Sequence, residues 1–320
     1  MSVLGRVRSA AASAARQVRR RRRDRASTLG ELAAVAGGTL AVEARHLGTG
    51  RSVSAHPDRP CKLASIVKVP LAALVLDRID EGRLGLGDVV AVEPRHLCPG
   101  SGVIAGRMRV PGLSLSVENL LRLALAESDN TATDVLFDLV GGPTAVQAFL
   151  DAHGHPNVRV DRTIRGLVSA LHDVPIQPGD DPDVVLRGAP APSAAYARSF
   201  FADPRDTATP RALVDLFADL WAGRLLPPEP TAWLVAALGE GAVGGRRFRA
   251  LLPAGAVVAH KTGTLWGGAG RMVADAGVVR LLGDAGHVAV AAFLTGSDRP
   301  KREQEAVLAH AARIAVDALR

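Results

Sequence analysis

Three short stretches carry the residue types that nucleophilic acyl chemistry needs. In Leu63-Ala-Ser-Ile-Val-Lys-Val-Pro70 a serine and a lysine stand three positions apart, a spacing that stacks both side chains on one helix face. A serine oxygen at a helix N-terminus sits among free N–H groups and a favourable dipole, and an amine one turn along could take its proton. Lysine is rare here: of 39 basic residues only Lys62, Lys68, Lys261 and Lys301 are not arginine. A buried lysine can shed its proton, whereas arginine cannot. Ser128-Asp-Asn130 offers a hydroxyl for proton relay and an amide to hold a substrate, or else a pair of helix caps. Lys261-Thr-Gly263 offers an ammonium and hydroxyls for a carboxylate, with a glycine that would let a substrate backbone approach closely. At the chain's own rate of about one lysine in ten basic residues, two named positions would both be lysine about one time in a hundred.

The elements that must position these stretches follow from local pattern. Thr28-Leu-Gly-Glu31 has capping-box spacing and opens a short helix that stops at Gly37-Gly38. Leu40, Val42 and Ala44 share one face of a strand, and with RSVSAH after Gly48-Thr-Gly50 they form a hairpin. The run from Ala64 to about Ile79 reads as a buried apolar helix, with further helices from about Ser116, over TDVLFDLV, and after Pro143. Residues 154–208, rich in proline and aspartate, show no sustained period and read as a long structureless connection, a functional loop or a disordered one. Helix resumes at Thr209-Pro210. Three strand-like runs, AVVAHKTG, MVADAGVVRLL and HVAVAAFLTG, precede a closing amphipathic helix. Strands near both termini and helices between them predict one sheet with an inserted helical lobe, and a cleft where the two meet.

The formal charge of +7 is unevenly placed. Residues 1–25 hold nine arginines against Asp24 alone, so that stretch is +8 and the remainder is −1. Residues 1–27 are therefore expected to be a solvated basic tail and not a nucleic-acid surface. The arginine run is followed by Glu31, Glu43 and Arg45 where a signal peptide would be uninterruptedly apolar, and no window is long enough to span a membrane. A cytoplasmic monomer with a small-molecule substrate is expected. Cys61 and Cys98 are too few for a disulfide scaffold and are read as unpaired thiols. The nine histidines show no zinc-binding spacing, so neither metal nor other cofactor is expected.

S-x-x-K, S-D-N and K-T-G in this order resemble the class A β-lactamase and penicillin-binding serine hydrolase family. SDNTATDVLFDLVGG, the Asp161-Arg162 pair and DTATPRALVDL extend the likeness over roughly residues 28–320. The resemblance implies an α+β fold: an antiparallel sheet flanked by N- and C-terminal helices (about 28–63 and 211–320) and an all-α lobe (about 64–210). It implies Ser65 as the acylated nucleophile, Lys68 as its base and Ser128 as relay to the leaving nitrogen. Asn130 would hold a substrate amide, Lys261, Thr262 and Gly263 the carboxylate end, and Thr264 would share an oxyanion hole with Ser65. Ser101, in Cys98-Pro-Gly-Ser-Gly102, would border the substrate, and Arg271 is a further candidate for its carboxylate.

One departure bears on mechanism. In class A enzymes a glutamate two residues after the loop arginine activates the deacylating water, with an asparagine further on. Ile164 and Val168 stand there instead. The long loop offers His172, Asp173, Asp180, Asp181 and Asp183 as substitutes. The expectation is an acyl-enzyme with a β-lactam or related amide or ester, cleared slowly or by a non-standard base. An esterase or biosynthetic acyl hydrolase, and a covalent ligand-binding sensor without turnover, are the alternatives.

Overall fold

The computed structural model describes Gln17, Arg23 and residues 26–108, 112–177, 179–283 and 285–320. Most of the arginine-rich stretch behind the tail expectation lies outside these described residues. Thr28 caps α1 (Leu29–Val35): its hydroxyl accepts the Glu31 N–H while the Glu31 carboxylate accepts the Ser27 and Thr28 N–H groups. The capping box read from sequence is present. Then follow β1 (Thr39–His46), β2 (Ser52–Ala55), β3 (Cys61–Lys62), a 3₁₀ turn (Ala64–Val67) and α2 (Lys68–Asp80). The middle of the chain holds β4 (Val89–Ala91), α3 (Ile104–Arg107), β5 (Ser114–Ser116), α4 (Val117–Leu125), α5 (Asn130–Val140) and α6 (Gly142–Ala152). Beyond lie α7 (Ile164–His172), α8 (Pro182–Gly188), α9 (Ala194–Ala202), β6 (Thr207–Ala208), α10 (Pro210–Trp221) and α11 (Pro228–Gly239). The chain closes with β7 (Val257–Gly267), β8 (Gly270–Arg280), β9 (His287–Thr295) and α12 (Lys301–Leu319).

The main sheet is antiparallel throughout, in the order β2-β1-β9-β8-β7, so strands from both ends of the chain share it. Strand alternation sends Leu40, Val42, Val273, Val290 and Leu294 to one face, where α1 and α12 cover them. Ala41, Ala274, Ala291 and Phe293 belong to the core of the other face, which α10 crosses and which continues into the helices around α2. β7 is an edge strand, and the 3₁₀ turn and α7 both pack against it. No helix among the described residues is long and apolar enough to cross a membrane. Cys61 and Cys98 are free and buried, and burial pushes the Cys61 thiol up to about 12.

Two expectations need correction. The serine-lysine run does not open as α-helix: residues 64–67 form the 3₁₀ turn, with Ala64 at φ +46°, and α-helix begins at Lys68. The segment 154–208 is not structureless, since it contains α7, α8, α9 and β6. These helices are short and separated by prolines, so no period accumulates, and tertiary contacts hold them. The Arg165 guanidinium donates to the Arg95 carbonyl at 2.7 Å, and the Tyr196 hydroxyl donates to the Ala170 carbonyl at 2.7 Å. α11 has no signature in the sequence, because its uniformly apolar WLVAAL core carries no helical stripe.

The ends of this segment are clasped. Asp206 accepts the N–H groups of Asp161 (2.9 Å) and Arg162 (2.8 Å) as well as the Arg162 guanidinium, across 44 positions of sequence. Asp206 is 3% exposed, and its removal would leave a largely buried guanidinium with the more distant Asp203 carboxylate, at 3.9 Å, as counter-charge. Asp206→Ala is expected to cost about 3 kcal/mol, read as a lower urea midpoint, and Asp206→Asn less, because it keeps an acceptor. An unchanged midpoint for Asp206→Ala would refute the clasp.

Candidate active site

From Cys61 to Leu76 every residue is buried except Ser65, which opens onto a cleft of about 470 Å³. Two positive backbone angles flank this place, at Ala64 (φ +46°) and Ser128 (φ +57°). Such angles cost about 1–3 kcal/mol each in non-glycine residues and persist only where the surroundings enforce them. For Ala64 the enforcing neighbour is β7. A Cβ on Gly263 would lie 3.0 Å from the Leu63 carbonyl and 3.4 Å from the Ala64 Cβ, so glycine lets the strand sit against the serine turn. The close approach that Gly263 permits in the folded chain is therefore to this turn, where the sequence suggested a substrate backbone.

Lys68, 1% exposed, donates from Nζ to the Ser128 carbonyl (2.7 Å), the Asn130 Oδ1 (2.9 Å) and the Ser128 hydroxyl (3.2 Å). All three acceptors are neutral, and burial lowers the amine to about 7. Lys261, equally buried, donates to the same Ser128 hydroxyl at 3.0 Å. Burial, and then the neighbouring Lys68 charge, hold it well below the usual lysine range. One hydroxyl thus bridges two amines that cannot both stay protonated cheaply, which is a proton path.

Asp129, not Ser128 or Asn130, is the cap of α5. Its carboxylate accepts the Ala132 N–H (2.9 Å) and also the Val103 (2.6 Å) and Ile104 (2.9 Å) N–H groups. The middle residue of the triplet does the capping, and its two neighbours turn toward the cleft. Asn130 Nδ2 donates to the Pro99 carbonyl (2.8 Å), which orients the amide, and its backbone N–H donates to the Ser101 carbonyl (3.0 Å). Ser65, Ser101, Ser128, Asn130, Thr262 and Thr264 all line the cleft, whereas Lys68 and Lys261 reach it through Ser128.

Arg247 also lines the cleft, and no local pattern marks it among the many arginines. It is 3% exposed and donates to the Gly263 (2.9 Å) and Ala274 (2.6 Å) carbonyls and to the Thr264 hydroxyl (2.7 Å). Its charge faces Glu305 at 3.4 Å. Arg271, the arginine singled out in the sequence, lies over the Trp266 ring at 5.0 Å instead.

On α7, which packs on the 3₁₀ turn and on β7, Val168 lines the cleft, and Ile164, 3% exposed, lies in the core behind the lining. Asp134 lies close behind, but its two oxygens accept the Ile164 and Arg165 N–H groups, both at 2.8 Å, so they hold the start of α7. Burial raises this carboxyl to about 7, against the pull of those two bonds. Of the loop candidates, His172 lines the cleft, its ring pushed toward the neutral form by burial. Asp181 instead caps α8 and Asp180 accepts the Gln177 N–H.

A model of the beta-lactamase enzyme family matches residues 24–319. The chain is 30% identical over 263 residues to the extended-spectrum beta-lactamase PER-1 of Pseudomonas aeruginosa, covering 81% of this chain and 76% of that protein. It is 31% identical over 296 residues to the beta-lactamase regulatory protein BlaB of Streptomyces cacaoi, covering 86% and 91%. Among solved structures, an ancestral class A beta-lactamase superposes with a TM-score of 0.73 at 31% identity, covering 91% of this chain and 98% of that one.

Proposed function

Since the chain belongs to the beta-lactamase enzyme family and shares the class A fold, we propose that it acts on β-lactams as a serine hydrolase whose first half-reaction is fast and whose second is slow. The Ser65 Oγ attacks the lactam carbonyl carbon while its proton passes to the neutral Lys68 amine. The N–H groups of Ser65 and Thr264 receive the developing oxyanion. As the C–N bond breaks, Ser128 gives its proton to the leaving nitrogen and recovers one from the amines on either side. Asn130 and Ser101 border the substrate amide, and Lys261, Thr262, Gly263 and Arg247 serve its carboxylate end. The lobes 64–210 and 28–63 with 211–320 form the two walls.

Hydrolysis of the ester then needs a deprotonated water. The observation that carries the reading is Ser65 with the linked Lys68, Ser128 and Lys261 beside α7, whose Ile164 and Val168 offer no proton acceptor and which lines the cleft with His172 as its titratable side chain. The second reading, a sensor that keeps its ligand as a covalent adduct, is favoured by the same helix. The Streptomyces cacaoi relative is itself named a beta-lactamase regulatory protein.

Time-resolved intact-mass spectrometry with benzylpenicillin tests both readings. The expected result is one adduct per chain that outlasts removal of free ligand, and no adduct at any time would overturn the acylation claim. The reactive form is the neutral Lys68 amine, set to about 7 by burial. The acylation rate should therefore climb about tenfold per pH unit below that value and level off above it. A flat profile from pH 5 to 8 would remove Lys68 as base.

A further inference from the structure

The chain holds four lysines among its 39 basic residues, and the acylation chemistry uses two of them, Lys68 and Lys261. Lys62, 2% exposed, is spent inside the fold. Its Nζ donates to the Asp203 and Arg205 carbonyls, both at 2.8 Å, and lies over the Phe200 ring at 4.9 Å. The fourth is placed differently. Lys301, the first residue of α12, is exposed, and it lines the cleft onto which Ser65 opens.

The two charges that line the cleft beside it are matched to each other. The Arg247 guanidinium is held by the Gly263 and Ala274 carbonyls and the Thr264 hydroxyl, and it faces the Glu305 carboxylate at 3.4 Å. Glu305 stands one turn after Lys301 on α12, but its carboxylate is engaged by Arg247. Among the described residues no acid lies within 4.0 Å of the Lys301 amine. Arg247 and Glu305 therefore cancel, and Lys301 gives this rim one uncompensated positive charge. A hydrated ammonium on a flexible four-carbon stem can follow an anion without first being stripped of water. In the proposed reaction Lys261 and Thr262, on β7, serve the lactam carboxylate. The anion that Lys301 meets is then a second one.

We propose that Lys301 is a specificity-determining residue that receives a second anionic group, carried on the leaving-nitrogen side of the substrate, so that the preferred β-lactams are dianions. The inference rests on acylation at Ser65. It assigns to α12 a role that the three motifs of the acylation set do not cover.

Two cephalosporins that share an acyl side chain and a nucleus test it, by second-order acylation rate constants from intact mass. Cefonicid carries a methylsulfonate on its leaving-side tetrazole where cefamandole carries a methyl. Cefonicid should acylate about fivefold faster at low ionic strength, and ~0.5 M sodium chloride should bring the ratio close to one. Lys301→Gln should bring the low-salt ratio to about one, Lys301→Glu should push it below one, and Lys301→Arg should preserve it. Equal rates or faster cefamandole in the wild type, or a ratio that Lys301→Gln leaves unchanged, would overturn the assignment while acylation stands. No adduct with either compound would overturn acylation at Ser65, and the assignment with it.

Discussion

Ile164→Glu is expected to shorten the life of the acyl adduct by about a hundredfold, the lower range of what a positioned general base supplies. Ile164 is the first residue of α7, a helix that packs on the 3₁₀ turn bearing Ser65. Its N–H is held by Asp134 at 2.8 Å, so the backbone at this point is fixed before any side chain is chosen. A carboxylate in the first turn also meets the favourable end of the helix dipole. Burial would raise its pKa, which for a base working near neutrality is useful. The introduced acid should cost a few kcal/mol of stability; the thermal midpoint would register that separately from the chemistry. The decisive measurement is adduct decay after free penicillin is removed, wild type beside variant. Decay at the wild-type rate in a folded, readily acylated Ile164→Glu would mean that the missing carboxylate is not what slows release.

Lys68→Met should lower the acylation rate by about a thousandfold. Methionine keeps most of the stem volume, so the apolar packing of α2 survives. The carbonyl of Ser128 and the Asn130 amide oxygen lose their donor, and Ser128 keeps the Lys261 amine at 3.0 Å. Lys68→Arg provides the sharper contrast, since a guanidinium donates hydrogen bonds but does not surrender its proton. Both variants should be slow, and the rise in rate up to pH 7 should vanish in both. Near-normal acylation by Lys68→Arg would show that the cation, not the base, is what position 68 contributes.

What local sequence could specify, it did. The Thr28–Glu31 box, the alternation through Leu40, Val42 and Ala44, the strands around Lys261 and the proline-opened α10 each depend on neighbours a few positions away. The motif triplet pointed to the family, and to the chemistry proposed here, for a related reason: the roles of nucleophile, relay and anchor call for residue types, and types are written in the sequence. The short helices α7, α8 and α9 were not legible, because contacts from distant carbonyls, such as those of Arg95 and Leu97 to Arg165, hold them in place. Arg247 was not legible either, since nothing within its own neighbourhood distinguishes it from Arg246 or Arg249.

The sequence alone thus determined that Ser65, Lys68, Ser128 and Lys261 exist in an order compatible with acyl transfer, and that the loop carries isoleucine where a base would stand. Only the folded chain decided that Lys68 and Lys261, with 193 positions between their numbers, meet at one hydroxyl. It also decided that Val168, Leu171 and His172 of α7 line the same cleft as Ser65. The reason is physical: a side chain's identity is covalent and local, but its proton affinity and its reach come from the dielectric and the neighbours that packing brings to it.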